Sequence, residues 1–309
     1  METDPIRQLH RKRINRVIDH IHAHLDRKLT VDELASVAGL SPYHFHRTFR
    51  ALVGEPVARY VMRKRLERAG SLLLGDPSAP VSDIAYACGF SSPSVFSRNF
   101  RRCFGMSAET FRRTNCHAHS KNRQASGKRD PQDRSYSRYL CRHKTVKTGD
   151  TTMDCTFEIK ELPALSIAYF RHVGPFDQME GAFSQLMQWA YPRGLLDAPG
   201  LQLLSVYHDH PGITAPDKLT SDAGMVVPPD TRAEGCIGRY DIAPGRFAVG
   251  RFEIGMDEFR EAWDAMFALI AEHGCQCAEG PHYELYRNNR DEHPGRKWIV
   301  DICIPVRPL

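Results

Sequence analysis

Two hydrophobic patterns divide this chain. From residue 6 to residue 113, apolar positions recur at helical spacing between Gly, Ser and Pro breaks. From residue 155 onward, short alternating apolar runs such as RFAVGRFEI and KWIVDICIPV flank two helical stretches, near residues 177–190 and 256–273. These patterns predict a multidomain protein in which an all-α region is followed by an α+β region.

The stretch between the two patterns has no apolar period and is rich in Lys, Arg, Ser and Asp. Such a composition favours a flexible connection over a packed core. We therefore predict a helical domain at residues 6–114, a basic linker at 115–153 and an α+β domain at 154–309. A length of 309 residues is sufficient for two domains, each with its own core.

The helical region contains an internal repeat. Its first copy is TVDELASVAGLSPYHFHRTFRALVG at 30–54, and its second is PVSDIAYACGFSSPSVFSRNFRRCFG at 80–105. Gly39 aligns with Gly89, and Ser41 aligns with Ser91. In the first copy, Thr30 and Glu33 have the spacing of a capping box. Glycine ends that helix, and Ser-Pro starts the next one, which is the order expected of a helix-turn-helix unit. The predicted apolar face of the first helix is Val31, Leu34, Ala35 and Ala38.

The second helix of each copy has one apolar and one polar face. Its predicted buried residues are Phe45, Phe49 and Leu52 in the first copy, and Phe96, Phe100 and Phe104 in the second. Long donors on the other face can reach guanine edges or phosphates, and short hydroxyls can contact bases at close range. These predicted DNA-binding residues are Tyr43, His46, Arg47 and Arg50, and then Ser94, Ser97, Arg98 and Arg101.

Residues 10–113 resemble the DNA-binding domain of the AraC/XylS family of transcription regulators, most closely in GFSSPSVFSRNFRRCFGMSAETFRR. The resemblance implies seven helices, base contacts from the third and sixth, and recruitment or blocking of RNA polymerase. The helical pattern at 56–74 would space the two units about one DNA turn (~34 Å) apart. Pro93, Ser94 and Ser97 give the second unit a shorter reach than the first, which predicts unequal halves on an asymmetric site.

Charge separates the same regions. Residues 1–115 carry a net charge of +8, residues 116–150 carry +6, and residues 151–309 carry −9. Clustered positive charge favours a polyphosphate partner, whereas an acidic domain repels phosphates and attracts cations. The charge pattern therefore predicts double-stranded operator DNA as the partner of the N-terminal part and a different partner for the C-terminal part.

The C-terminal region also contains a repeat. Its two copies are ALSIAYFRHVGPFDQMEGAFSQLMQW at 164–189 and GRFAVGRFEIGMDEFREAWDAMF at 245–267. Each copy is followed by two further strand patterns. We predict two pseudo-symmetric β-α-β-β halves with a small-molecule cleft between them. Aromatic residues that could line the cleft or belong to the core are Phe170, Trp189, Tyr207, Trp263, Tyr283, Tyr286 and Trp298.

Glu284 is the outstanding polar residue of this region because it lies among aromatics on a predicted strand, HYELYRNN. A buried carboxylate without a partner is costly, and a bound cation would offset that cost. Alternatively, Glu284 faces solvent or pairs with Arg287 or Arg290. A cationic or amphipathic effector is the ligand that the sequence favours.

Residues 156–307 resemble the GyrI-like effector-binding domain, most specifically in Tyr283-Glu284 and the strand DICIPV. The resemblance implies that Glu284 faces an aromatic cleft for bulky, often cationic, aromatic compounds. Together with the aromatic residues proposed for the cleft, the predicted effector-binding residues are Glu284, Tyr286, Tyr207, Trp298, Trp189 and Phe170.

Other features argue against catalysis by a metal or cofactor. Cys275 with Cys277, and His208 with His210, supply too few ligands for zinc, and no phosphate-binding loop or nucleophile elbow occurs. Nine scattered cysteines indicate reduced thiols in a cytoplasm, and no apolar run reaches the ~18 residues of a membrane span.

The leading hypothesis is a cytoplasmic, effector-controlled transcription regulator that is not an enzyme. Two alternatives stay open: a hydrolase of reactive aromatic compounds with Glu284 as general base, and a module that binds another protein. The operator, the effector, the sign of regulation and the oligomeric state are left open by the sequence.

Overall fold

A computed structural model describes residues 5–76, 78–120, 142–148, 151–198 and 200–308. The chain divides into two compact units. The first consists of residues 1–121 with the short segments 209–219 and 233–238, and the second contains the remainder. Within the described residues, no helix is sufficiently long and apolar to cross a membrane.

The first unit is helical, as predicted. Its described residues form seven helices, the number that the resemblance implies: α1 (Pro5–Ala23), α2 (Val31–Ala38), α3 (Pro42–Val53), α4 (Val57–Gly75), α5 (Val81–Ala87), α6 (Pro93–Phe104) and α7 (Ala108–Ser120). One core packs α2 and α3 against α1, and a second packs α5, α6 and α7 against the C-terminal half of α4.

The two helix-turn-helix units begin and end as the sequence predicts. Gly39 ends α2 with a φ of 63°, and the Ser41 side chain caps α3 by accepting a hydrogen bond from the His44 N–H. In the second copy Ser92, rather than Ser91, caps α6, because the inserted residue lengthens the turn by one position.

Three details of the packing differ from the prediction. Val31 is 43% exposed, because the first residue of a short helix points past the end of the core. Leu52 and Phe104, near the ends of α3 and α6, are only partly buried. The Glu33 carboxylate accepts hydrogen bonds from Arg27 and His20, so only the Thr30 half of the capping box forms.

The predicted linker contains regular structure at both ends. Helix α7 continues to Ser120, and a strand spans Arg142–Thr148. That strand pairs with the next one, so backbone hydrogen bonding outweighs the polar composition there. The rest of the predicted linker, apart from residues 151–153, lies outside the described residues.

The second unit is built on an antiparallel sheet. Its strands and helices are β1 (Arg142–Thr148), β2 (Thr151–Leu162), β3 (Leu165–Val173), α8 (Glu180–Ala190), β4 (Leu203–Tyr207), β5 (Thr220–Val226), β6 (Gly238–Ile242), β7 (Gly245–Ile254), α9 (Phe259–Glu272), β8 (Cys275–Cys277), β9 (His282–Tyr286) and β10 (Trp298–Pro308). The strand order is β1-β2-β7-β10-β9-β4-β5-β3-β6, and β8 pairs with β10.

The predicted β-α-β-β halves are confirmed as β3-α8-β4-β5 and β7-α9-β9-β10. Each half folds so that its last strand lies between its other two, and β4 pairs with β9 to join the halves. Helix α8 packs on β3 and β5, and helix α9 packs on β2, β7 and β10. The two helices therefore leave the β4–β9 seam between them.

Gly39 and Gly89 occupy the equivalent turns of the two helix-turn-helix units with left-handed backbone angles, and we expect the second to be the harder to replace. A Cβ at Gly39 would meet nothing within 4 Å, whereas a Cβ at Gly89 would overlap the Leu25 carbonyl oxygen. Left-handed backbone costs about 1–2 kcal/mol for other residues. We expect Gly39→Ala to lower the free energy of unfolding by that amount and Gly89→Ala to lower it further, as measured by urea denaturation. Gly75→Ala, at an uncrowded helical position, is the control and should not destabilise.

The two halves should depend unequally on equivalent cross-strand ion pairs. Arg171 faces Asp222 and Arg251 faces Asp301 in the sheet register, but the Arg171 side chain is 3% exposed and that of Arg251 is 52% exposed. Removal of the partner of a buried charge costs about 3–5 kcal/mol, whereas loss of the half-exposed Arg251 leaves Asp301 paired with Arg287 and should cost about 1 kcal/mol or less. We expect Arg171→Met to destabilise strongly and Arg251→Met only slightly in thermal unfolding; equal losses would contradict this assignment.

Candidate functional site

The predicted DNA-binding residues lie on the solvent-exposed faces of α3 and α6. Phe45 and Phe49 are fully buried on the opposite face of α3, as are Phe96 and Phe100 on α6. This separation follows from helical spacing, because residues three and four positions apart share a face. The exposed residues are Tyr43, His46, Arg47, Arg50, Ser94, Ser97, Arg98 and Arg101.

The two exposed faces differ in chemistry. On α3, Arg47 Nη1 donates to the Tyr43 hydroxyl at 3.3 Å, and its guanidinium carbon lies 5.7 Å from the centre of the Tyr43 ring. The same positions one repeat later are Ser94 and Arg98, which carry no aromatic ring. Helix α3 therefore presents an arginine paired with an aromatic ring, whereas α6 presents an arginine beside the shorter hydroxyls of its serines.

A second candidate site surrounds Glu284 on β9. Its side chain is buried, with 1% exposure, and three donors converge on its carboxylate. Trp263 Nε1 donates to Oε1 at 2.6 Å, while the hydroxyls of Tyr207 and Tyr286 donate to Oε2 at 2.8 and 2.9 Å. All three donors are uncharged, so they satisfy the carboxylate as an acceptor without neutralising its charge.

Aromatic rings surround this carboxylate from both halves of the sheet. The Tyr207 ring lies 5.6 Å from that of Trp263 on α9, and the Tyr286 ring lies 6.1 Å from that of Phe183 on α8. Trp298 stands 5.0 Å from Tyr286, and Phe176 stands 4.7 Å from Tyr207. Such ring faces suit flat, apolar and cationic groups.

Four of the six predicted effector-binding residues lie together. Glu284, Tyr207, Tyr286 and Trp298 form one continuous set of contacts, as described above. Phe170 packs with Phe183 and Tyr207 in the cluster beneath α8, so it supports the wall of the site.

Trp189 lies elsewhere. It is six residues beyond Phe183 on α8, about 240° around the helix, and Arg193 lies 4.9 Å above its ring. Tyr283, another aromatic candidate, is buried against Phe247 on the other face of the sheet, because neighbouring residues of a strand point to opposite faces.

Phe183, Phe176 and Ser205 contribute to the site but were missed by the sequence prediction. The repeat itself carried a signal for two of them, since GAF at 181–183 aligns with EAW at 261–263, and SVYH at 205–208 aligns with ELYR at 284–287 through Tyr207 and Tyr286. This alignment makes Phe183 the counterpart of Trp263, and Ser205 the counterpart of Glu284.

Two acidic residues on the strands next to β4 and β9 point to the opposite face of the sheet from Glu284, and they have basic partners instead. Asp222 binds Arg171 through two hydrogen bonds of 2.9 Å and His208 at 2.6 Å, and these partners hold its pKa below the usual range despite burial. Asp301 binds Arg251 and also Arg287, whose Nε lies 2.8 Å from Oδ2. Arg287 is thereby engaged with Asp301 rather than with Glu284.

The pKa of Glu284 is shifted in the opposite direction from that of Asp222. Burial raises the pKa of Glu284 above its ordinary value, and hydrogen bonds from Trp263, Tyr207 and Tyr286 offset only part of that shift. Burial also raises the pKa of Tyr207 and of Tyr286, and the adjacent Glu284 charge adds to both shifts. The hydroxyls thus stay protonated and remain donors. A cation in this site would lower the cost of ionising Glu284.

Comparison with known families and proteins follows the same division of the chain. Residues 156–307 match the family described as a GyrI-like small molecule binding domain, and residues 34–114 match a helix-turn-helix domain family. The DNA-binding domain of AdpA, solved in complex with a target DNA, is 30% identical, with a TM-score of 0.32; the match covers 37% of this chain and 97% of that domain.

Two relatives each match part of the chain. The probable transcriptional regulator LumQ of Photobacterium leiognathi is 43% identical over 98 residues, which are 31% of this chain and 39% of LumQ. DNA gyrase inhibitor 2 of Dickeya dadantii is 32% identical over 157 residues, which are 50% of this chain and 96% of the inhibitor. The chain therefore belongs to the GyrI-like family of small molecule binding domains, joined here to an AraC-type helix-turn-helix DNA-binding domain.

Proposed function

We propose that this protein regulates transcription through α3 and α6, which bind operator DNA, and through the Glu284 site, which binds a cationic or amphipathic aromatic effector. The observation that carries the effector assignment is a buried carboxylate surrounded by uncharged donors and aromatic rings. A bound cation would supply the missing positive charge, and the rings would contact its apolar body. The net charge of −9 over residues 151–309 favours the same class of ligand.

DNA binding through α3 and α6 is supported by charge and exposure. All eight proposed contact residues are exposed, and residues 1–115 carry a net charge of +8. LumQ, which is described as a probable transcriptional regulator, is 43% identical to this chain over 98 residues. In our proposal Tyr43, His46, Arg47, Ser94, Ser97 and Arg98 face bases, Arg50 and Arg101 contact the backbone, and RNA polymerase is the partner that responds.

We assign residues 6–114 to DNA binding and residues 154–309 to effector binding, with 115–153 as the connection. The effector changes transcription only if it binds one DNA-binding state of the protein more tightly than another.

A sensor fits the Glu284 geometry better than a hydrolase does. A general base must be able to take up a proton from the substrate, yet both Glu284 oxygens already accept hydrogen bonds from Trp263, Tyr207 and Tyr286. Burial raises the pKa of Glu284 and these bonds offset part of that rise, but they engage both oxygens with protein donors rather than with a substrate proton. Multiple turnover of an aromatic ester by the purified protein, abolished by Glu284→Gln, would support the hydrolase instead.

The similarity to DNA gyrase inhibitors suggests a protein partner as a second candidate function. In this case the acidic C-terminal unit would bind gyrase without any small molecule. A gyrase supercoiling assay with the full chain distinguishes the two candidates. Inhibition that is unchanged by Glu284→Gln would favour the protein partner.

Arg47→Ala and Arg98→Ala should each weaken operator binding. A side chain that reads a base edge contributes about 1–3 kcal/mol, so each variant should lose roughly 5- to 150-fold in affinity for an operator obtained by sequence selection. Fluorescence anisotropy at fixed salt measures the loss. Arg59→Ala on α4, whose side chain is 76% exposed, is the matched control and should change affinity little. A normal footprint from the Arg47/Arg98 double variant would refute the assignment.

Affinity for an aromatic cation should rise with pH in the wild-type protein but not in Glu284→Gln. Because the pKa of Glu284 is raised in the folded protein, the cost of burying its charge is absent below the unfolded pKa and grows as pH rises through the folded pKa. The free protein thus loses stability over that range, and a bound cation restores it. Calorimetry with 1-methyl-4-phenylpyridinium should show proton release and about tenfold or greater weakening in Glu284→Gln. A pH dependence that persists in Glu284→Gln would contradict the role of this residue.

A further inference from the structure

The effector site lies on a local twofold axis of the sheet. In the antiparallel β4–β9 pair, Ser205 stands directly opposite Glu284, with Leu204 opposite Leu285 and Val206 opposite Tyr283. The internal repeat independently makes Ser205 the counterpart of Glu284. Register and repeat therefore agree that the axis passes between these two side chains.

The surroundings of the axis follow the same symmetry. The Tyr207 hydroxyl crosses to Glu284 at 2.8 Å, and the Tyr286 hydroxyl crosses to Ser205 at 2.8 Å. The Tyr286 hydroxyl also donates to Glu284 of its own strand at 2.9 Å. Trp263 and Phe183 complete the pattern, because each packs edge-on against the tyrosine of the other half.

Charge breaks this symmetry at the axis. Position 284 carries a carboxylate, while its counterpart, position 205, carries a hydroxyl that is also buried, with 1% exposure. The Tyr207 and Tyr286 hydroxyls each donate their proton to Glu284, so Ser205 Oγ donates to the Tyr286 oxygen. If the carboxylate stood at position 205 instead of 284, the tyrosine protons would be free for that side of the axis. The site therefore has two equivalent positions and a single negative charge.

We propose that Ser205 determines the charge of the ligand, so that the site selects monocations over dications of the same shape. This inference rests on the proposed effector site. One buried carboxylate compensates one positive charge, and the second charge of a compact dication would be buried without a counterion at a large cost. A second carboxylate at position 205 would reverse that preference.

Two isosteric probes test the proposal with the full-length protein. They are 1-methyl-4-phenylpyridinium, a monocation, and 1,1′-dimethyl-4,4′-bipyridinium, a dication of closely similar shape. We expect the wild-type protein to bind the monocation about tenfold or more tightly than the dication in titrations at mildly alkaline pH, and Ser205→Glu to invert that ratio. Ser205→Gln matches glutamate in size without its charge, so it should leave the ratio within about threefold of the wild-type value.

A variant that exchanges the two residues keeps the proposal testable if Ser205→Glu does not fold. The double variant Ser205→Glu/Glu284→Ser carries one carboxylate on the other side of the axis. It should prefer the monocation, and it should bind the monocation at least about tenfold more tightly than Glu284→Ser alone does. Circular dichroism establishes that each variant is folded before titration.

The outcomes separate this inference from the function on which it rests. If the wild-type protein binds neither pyridinium, both the effector site and the charge rule fail. If it binds them but Ser205→Glu and Ser205→Gln give the same ratio, or the exchange variant recovers nothing, the charge rule alone is overturned.

Discussion

The second unit depends on the pairing of β4 with β9. This one antiparallel contact joins the two β-α-β-β halves into a continuous sheet and fixes their register, with Ser205 opposite Glu284. Because strand residues alternate between faces, the same register turns Tyr207 and Tyr286 toward the helices and buries Tyr283 on the far side. A shift of one residue would exchange these faces and remove the site.

Burial of charge sets the chemistry on either side of the seam. Asp222 and Asp301 lie on the central strands of their halves and are neutralised by Arg171 and by Arg251 with Arg287. Glu284 instead accepts hydrogen bonds from Trp263, Tyr207 and Tyr286, which leave its charge uncompensated. The sheet therefore tolerates three buried acids in two ways: Asp222 and Asp301 have basic partners on one face, and Glu284 has uncharged donors on the other.

Both units are duplications whose copies diverge at the binding surface. In the first unit, the turn glycines and buried phenylalanines are kept, while Tyr43 and Arg47 on α3 correspond to Ser94 and Arg98 on α6. In the second unit, the tyrosines of β4 and β9 are kept, while glutamate is matched by serine. Retained positions maintain packing, and changed positions give each copy its own contacts.

The sequence by itself determined the two fold classes, the helix-turn-helix boundaries, the β-α-β-β repeat and the position of Glu284 among aromatics on a strand. These features follow from local periodicity, capping residues and the cost of a carboxylate among aromatics. It did not determine that Trp189 lies apart, that Arg287 is held by Asp301 or that Ser205 faces Glu284. Only the tertiary structure decided these points, because they depend on which face of α8 meets the sheet and on strand order and register, which place β9 beside β10 and bring Ser205 opposite Glu284.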